Sequence, residues 1–209
     1  MTPESELRES IIAAGRSLFD RGLTHGSTGN ISVRWNGNIL VTPTGSNLGS
    51  LDPSRLSVID PHGNHVQGGK PSKEAFLHAA VLRARPQAHA VVHTHSTHAA
   101  ALSCLDGLNP ADSLPPLTAY FAMRVGRLPL LPYHAPGDPA LECLAETVAQ
   151  ENTALLLANH GPIVAGSNLQ QALDAVEELE ETAKLFFILN AHPTRPLTSQ
   201  QVSAIRPSS

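Results

Sequence analysis

Apolar residues open the chain at helical spacing. Leu7, Ile11, Ala14, Leu18 and Phe19 share one face, and Gly22 is a natural stop. The pattern then shifts to alternation. Ile31 to Trp35 and Asn38 to Thr42 read as short strands, and Asn36-Gly37 between them is a strong hairpin signal. A weaker strand pair, Leu56 to Ile59 and His65 to Gln67, flanks Pro61-His62-Gly63. Ser72 has the chemistry of an N-cap for a helix running to about Arg85, closed by Pro86.

The second half begins with a buried strand, Ala88 to His93, and a helix, Thr97 to Leu105. A Pro-containing loop spans 106 to 118, and strand-like pieces follow around Tyr120 and at Leu128 to Leu131. Ala140 to Gln150 is helical. Ala154 to Ala158 is a fully apolar strand, expected to pair with Ile163 to Ala165 across Gly161-Pro162. A long amphipathic helix covers about Leu169 to Asn190, and the polar tail from about 193 is expected to be loose. With no repeat or linker, residues 1–209 are expected to form a single α/β domain, with a mixed or antiparallel sheet between helical layers.

Composition narrows the function. Hydrophobic content of 41% and charged content of 15% suit a globular protein with a real core. A net charge of -4 offers no basic footprint for nucleic acid. No apolar stretch reaches membrane-spanning length, and MTPESELRES lacks the pattern of a secretory leader, so a cytoplasmic location is expected. Cys104 and Cys143 sit in apolar, helix-like contexts and are expected to be buried free thiols.

Eleven histidines are the compositional oddity. His93 and His95 close an apolar strand two residues apart, where side chains of an extended chain share a side and can aim two imidazoles at one ion. His160 ends the other very apolar strand, in Ala158-Asn159-His160-Gly161-Pro162, and is the candidate third ligand of an open zinc site. His98 lies just beyond, on the next helix, and is assigned a structural or supporting role.

Three segments have the makings of anion-binding loops: Gly26-Ser27-Thr28-Gly29-Asn30, Thr42-Pro43-Thr44-Gly45-Ser46 and Lys70-Pro71-Ser72-Lys73-Glu74. Glycine lets the backbone approach a ligand, hydroxyls and amides hold phosphate oxygens, and the third segment opens a helix. Such runs are more often plain turns. Glu74, from spacing alone, reads as a carboxylate that favours the helix dipole.

Taken together, Gly26-x-x-Gly29-Asn30-Ile31-Ser32, Thr42-Pro43-Thr44-Gly45, Pro71-Ser72-x-Glu74, His93-x-His95 and Asn159-His160-Gly161 resemble the class II aldolase/adducin family over roughly residues 5 to 190. The resemblance implies an α/β/α fold with a mostly antiparallel central sheet, commonly a tetramer, and one zinc per chain on His93, His95 and His160. It makes Glu74 the proton-transferring carboxylate and a possible ligand when substrate is absent. Ser27, Thr28, Gly29, Asn30, Thr44, Gly45, Ser72 and Lys73 would face phosphate or hydroxyls. Tyr120 is the looser match to an acid that acts from a neighbouring subunit.

Sugar-phosphate aldolases commonly carry Ser-Ser-Glu where this chain has Ser72-Lys73-Glu74. Thr42 to Pro53, Gly69 to Glu74, Ala101 to Leu105 and Glu177 to Lys184 are instead similar to the 3-oxo-tetronate 4-phosphate decarboxylases. That narrower likeness implies a small phosphorylated sugar acid as substrate, and carbon dioxide and dihydroxyacetone phosphate as products, formed through a metal-stabilised enediolate. A fuculose 1-phosphate type aldolase or an epimerase is the alternative.

Overall fold

The computed structural model describes residues 3–135 and 137–205. Helix α1 (Pro3–Asp20) buries Ile11, Ala14 and Leu18, and the chain leaves it through Gly22 at positive φ. Strands β1 (Asn30–Trp35) and β2 (Asn38–Val41) form the expected hairpin. Asn36 and Gly37 both take positive φ, as a two-residue turn of matching twist requires. Strands β3 (Ser57–Ile59) and β4 (His65–Gln67) extend the sheet on the β2 side.

Helix α2 (Ala75–Ala84), β5 (Ala90–His93) and α3 (Thr97–Ser103) come next. After them stand α4 (Ala119–Arg124), β6 (Leu130–Leu131) and α5 (Ala140–Ala149). The last elements are β7 (Ala154–Leu157), β8 (Gly161–Gly166), α6 (Leu169–Ile188) and α7 (Ser199–Ile205). Eight strands make one sheet in the order β4-β3-β2-β1-β5-β8-β7-β6, antiparallel at every junction except β6–β7.

Alternation along the strands divides the core in two. Ile31, Val33, Ala90, Val92, Leu156 and Val164 pack with Ile11, Leu102, Phe121 and Val176 of α1, α3, α4 and α6. Val41, Val91, Leu155, Leu157 and Ile163 face the other way, onto Leu77, Val81, Leu141 and Ala145 of α2 and α5. The result is the expected helix–sheet–helix sandwich.

Several expectations are corrected. Tyr120 lies in a helix, because the Thr118 hydroxyl caps the Phe121 N–H and Phe121 and Ala122 supply a buried helical face. Ser72 is not the N-cap of α2. The helix starts three residues later, with Glu74 at the cap position, and Ser72 turns its hydroxyl toward Asn30. The β7–β8 turn is Ala158-Asn159-His160 rather than Gly161-Pro162, since Asn159 takes the left-handed conformation and Gly161 already pairs with Leu157. Cys104, just past the end of α3, and Cys143 on α5 are exposed. The tail holds α7, which packs near α4, and Leu197 N–H bonds to Pro116 O at 2.9 Å.

Candidate metal centre and anion recess

Two strand ends and one helix start meet at one point. His93 closes β5 opposite Asn30 of β1, Gly161 opens β8, and Glu74 precedes α2. Two glycines make this convergence possible. A Cβ on Gly29, which also takes positive φ, would stand 2.9 Å from His93 O, and one on Gly161 would collide with Thr94 O.

One ligand-capable atom from each of Glu74, His93, His95 and His160 lies within 4.8 Å of the others. The three imidazoles meet edge to face, with centroids 4.6 to 4.9 Å apart. His160 Nε2 lies 3.0 Å from His95 Nε2 and 3.0 Å from Glu74 Oε1, and His93 Nε2 is 3.3 Å from Glu74 Oε2. His93 is buried, and its Nδ1 meets the Pro162 carbonyl at 2.8 Å. That bond fixes the ring with Nε2 pointing inward, the orientation that ligating histidines usually receive from an outer partner.

These residues fit a divalent cation. His93 Nε2 is buried without a hydrogen-bond partner, and a bare ring nitrogen beside a carboxylate is satisfied by a positive ion. Burial pushes the His95 pKa down to about 3, and the neighbouring His93 and His160 add to this. Burial also lowers His93. Both rings are therefore neutral at pH 7 and free to ligate. On Glu74, burial pushes upward, but His93, His160 and the Asn30 amide outweigh it and hold the carboxyl well below its usual range. Three imidazoles with a carboxylate suit zinc and its neighbours in the transition series.

A recess of ≈ 270 Å³ opens beside the cluster. It is lined by Ser27, Thr28, Gly29, Asn30, Thr44, Gly45, Ser72, Lys73, Glu74, His95 and His160, together with Pro43. All three small-residue loops therefore share one recess with the His95 and His160 imidazoles. A larger hollow of ≈ 490 Å³ lies at the opposite end of β5 and β8, near Arg85 and Arg124, away from the histidines.

Other candidates go elsewhere. Tyr120 is 60% exposed on α4, with the Arg124 guanidinium 5.3 Å from its ring centroid, and does not line the recess. His98 turns from the centre to Glu180, with Nδ1 2.8 Å from Oε1. Sequence reasoning gave no role to Glu180, Ser103 or His78. His78 sits one turn beyond Glu74 and is wholly buried against the Ser32 hydroxyl at 2.7 Å. The i, i+4 spacing of Glu74 and His78 was the available signal.

The family model of the class II aldolase and adducin N-terminal domain matches residues 9–187. The chain belongs to this family. A Haemophilus influenzae protein named 3-oxo-tetronate 4-phosphate decarboxylase is 50% identical over 196 residues, 93% of each chain. The L-fuculose phosphate aldolase of the same organism is 34% identical over 201 residues, 94% of this chain and 90% of its own. The crystal structure of YgbL from Klebsiella pneumoniae superposes with a TM-score of 0.95 at 46% identity, covering 99% of this chain and 100% of that one. Relatives named as a decarboxylase and an aldolase support an enzyme of the lyase class, and the Glu74–His93–His95–His160 cluster could hold a metal ion.

Proposed function

We propose that the chain is a zinc-dependent carboxy-lyase that converts 3-oxo-tetronate 4-phosphate to dihydroxyacetone phosphate and carbon dioxide in sugar-acid breakdown. The observation that carries this reading is the shared wall between the three-histidine cluster and the small-residue recess. A cation site and an anion-binding loop set stand side by side, at the scale of a four-carbon phosphate. Identity of 50% to a decarboxylase against 34% to an aldolase of the same organism favours carbon dioxide over an aldehyde as the leaving group.

The substrate has a carboxylate at C1, a hydroxyl at C2, a ketone at C3 and phosphate at C4. Breaking C1–C2 releases carbon dioxide and sends the bonding electrons toward the C3 oxygen. Protonation at C2 completes dihydroxyacetone phosphate. A bound zinc ion supplies positive charge that offsets the negative charge developing at C3 oxygen. His93, His95 and His160 would hold that ion. Glu74 holds or delivers the C2 proton. The amides and hydroxyls of Ser27, Thr28, Gly29, Thr44, Gly45 and Ser72 hold the phosphate, Asn30 orients Glu74, and Lys73 pairs with an anionic group of the substrate.

The same reading places the protein in the cytoplasm as a homotetramer, with Tyr120 serving a neighbouring subunit. Among the described residues no helix is long and apolar enough to cross a membrane. Sedimentation of a fully active monomer would contradict the tetramer. The activity itself is tested with a panel of four-carbon keto-acid phosphates and L-fuculose 1-phosphate. Carbon dioxide release from the former supports the proposal, whereas aldehyde release from the latter alone assigns the chain to the aldolases.

A further inference from the structure

Helix α3 begins two residues after His95 and ends at Ser103, and it is clamped at both ends in a way that ordinary packing does not require. At its first turn, Glu180 reaches in from α6. Oε1 accepts the His98 N–H at 2.9 Å, and Oε2 accepts the Ala99 N–H at 2.8 Å. The Ser96 hydroxyl also bonds to this carboxylate. Ser96 stands at the cap position but makes no side-chain cap bond of its own. The capping function has passed to a carboxylate only 6% exposed and more than eighty residues away in sequence. Desolvating a carboxylate is costly, and the α3 amide dipoles and N–H groups offset it.

The other end of α3 holds the turn that carries His160. Ser103 Oγ accepts the His160 N–H at 3.0 Å while donating to Ala100 O at 2.7 Å, and Ser103 O accepts the Asn159 N–H at 3.0 Å. The strained left-handed Asn159 is thereby pinned beside the histidine it precedes. His95 thus leaves one end of a seven-residue helix and His160 hangs from the other. Helix α3 is roughly 10 Å long at α-helical rise, and from its far end the His160 turn comes back to His95, so that the two rings stand 4.6 Å apart.

We propose that α3 is a strut that sets the separation and angle of His95 and His160, with Glu180 and Ser103 as its positioning residues. Neither touches the imidazoles of His95 or His160; each acts through the backbone that bears one. The inference rests on the reading of His93, His95 and His160 as metal ligands, and it adds residues outside the cluster that govern affinity for the ion.

The test uses the full chain and zinc itself. Zinc affinity is measured by competition with a chromogenic chelator for the parent, Ser103→Ala, Glu180→Gln and Glu180→Ala, alongside melting of the metal-free proteins. The visible spectrum of the cobalt-substituted forms reports ligand geometry. Loss of a group that orients a metal ligand weakens binding by about 10- to 100-fold, and that is the expected loss for Ser103→Ala and Glu180→Ala. Glu180→Gln, which keeps the shape and one acceptor, should fall between parent and Glu180→Ala. The cobalt bands should shift in all three. If Ser103→Ala and Glu180→Gln bind zinc within twofold of the parent and only melt earlier, the strut is a folding element and the inference fails. A parent chain that takes up no zinc would instead overturn the metal reading on which it rests.

Discussion

Asn30 donates one amide group to two acceptors: Nδ2 lies 2.9 Å from Glu74 Oε2 and 3.0 Å from Ser72 Oγ. The first strand of the central hairpin thereby fixes the carboxylate beside His93. A hydrogen bond to the ionised form lowers a carboxyl pKa, so removing it raises the pKa. For Asn30→Ala, the limb of the pH–rate profile that Glu74 sets should move to higher pH, with kcat reduced roughly tenfold or more. An unchanged profile would show that Asn30 does not govern Glu74.

Glu74 and Lys73 are neighbours with different surroundings, one buried against the imidazoles and the other exposed at the rim of the recess. Glu74→Gln keeps size but removes the carboxyl that carries the C2 proton. The expected loss is in kcat, of order 10²–10⁴-fold, with zinc retained. Lys73→Ala should chiefly raise KM, through lost pairing with a substrate anion. Steady-state kinetics of the two variants checks both. A Glu74→Gln enzyme with near-parental kcat would reduce Glu74 to a residue that merely starts α2.

His95 and His98 are three residues apart and point into different neighbourhoods. His95→Ala should lose zinc and activity together while the far-ultraviolet spectrum stays that of the parent. His98→Ala should be much milder, because the backbone N–H groups of residues 98 and 99 still reach Glu180. Metal analysis of both purified variants distinguishes them, and full zinc occupancy in His95→Ala would remove it from the ligand set.

Much of this arrangement was legible in the sequence, for reasons tied to particular residues. Asn36-Gly37 is a strong hairpin signal, and the apolar runs before His93 and His160 read as buried strands. The three small-residue loops were readable as candidate anion binders, though their meeting in one recess depends on β1, β2 and α2 sharing an edge. The misreadings arose where short-range signals compete. Thr118 caps a six-residue helix too brief to show a period, so Tyr120 looked like strand. Asn159 makes the turn that Gly161-Pro162 seemed to offer. Glu180 was invisible in its role, because a glutamate in an acidic helical run reads as a solvated face until the fold brings α3 against it.

His78 gives the fold an acid-sensitive point. It is wholly buried, and burial, with a smaller push from His93, lowers its pKa to about 3. An unfolded histidine titrates near 6.5, so between roughly pH 6.5 and 3 the unfolded chain binds the extra proton and stability falls as pH falls. The contribution is complete above that window. Between pH 7 and 5 this one group should cost the metal-free protein about 2 kcal/mol. Urea unfolding at the two pH values, compared with His78→Gln, measures it. Equal pH dependence in the two proteins would contradict the assignment.

In the proposed reaction the cluster of Glu74, His93, His95 and His160 splits C1 from C2 of a phosphorylated keto acid. Following 3-oxo-tetronate 4-phosphate labelled with carbon-13 at C1 by nuclear magnetic resonance tests this most directly, with zinc-loaded and chelator-stripped protein side by side. With zinc-loaded protein the label should leave as carbon dioxide and bicarbonate while unlabelled dihydroxyacetone phosphate accumulates in equal amount, and with the stripped protein neither should occur. Label retained in a phosphorylated or aldehyde product, or full turnover without metal, would contradict it.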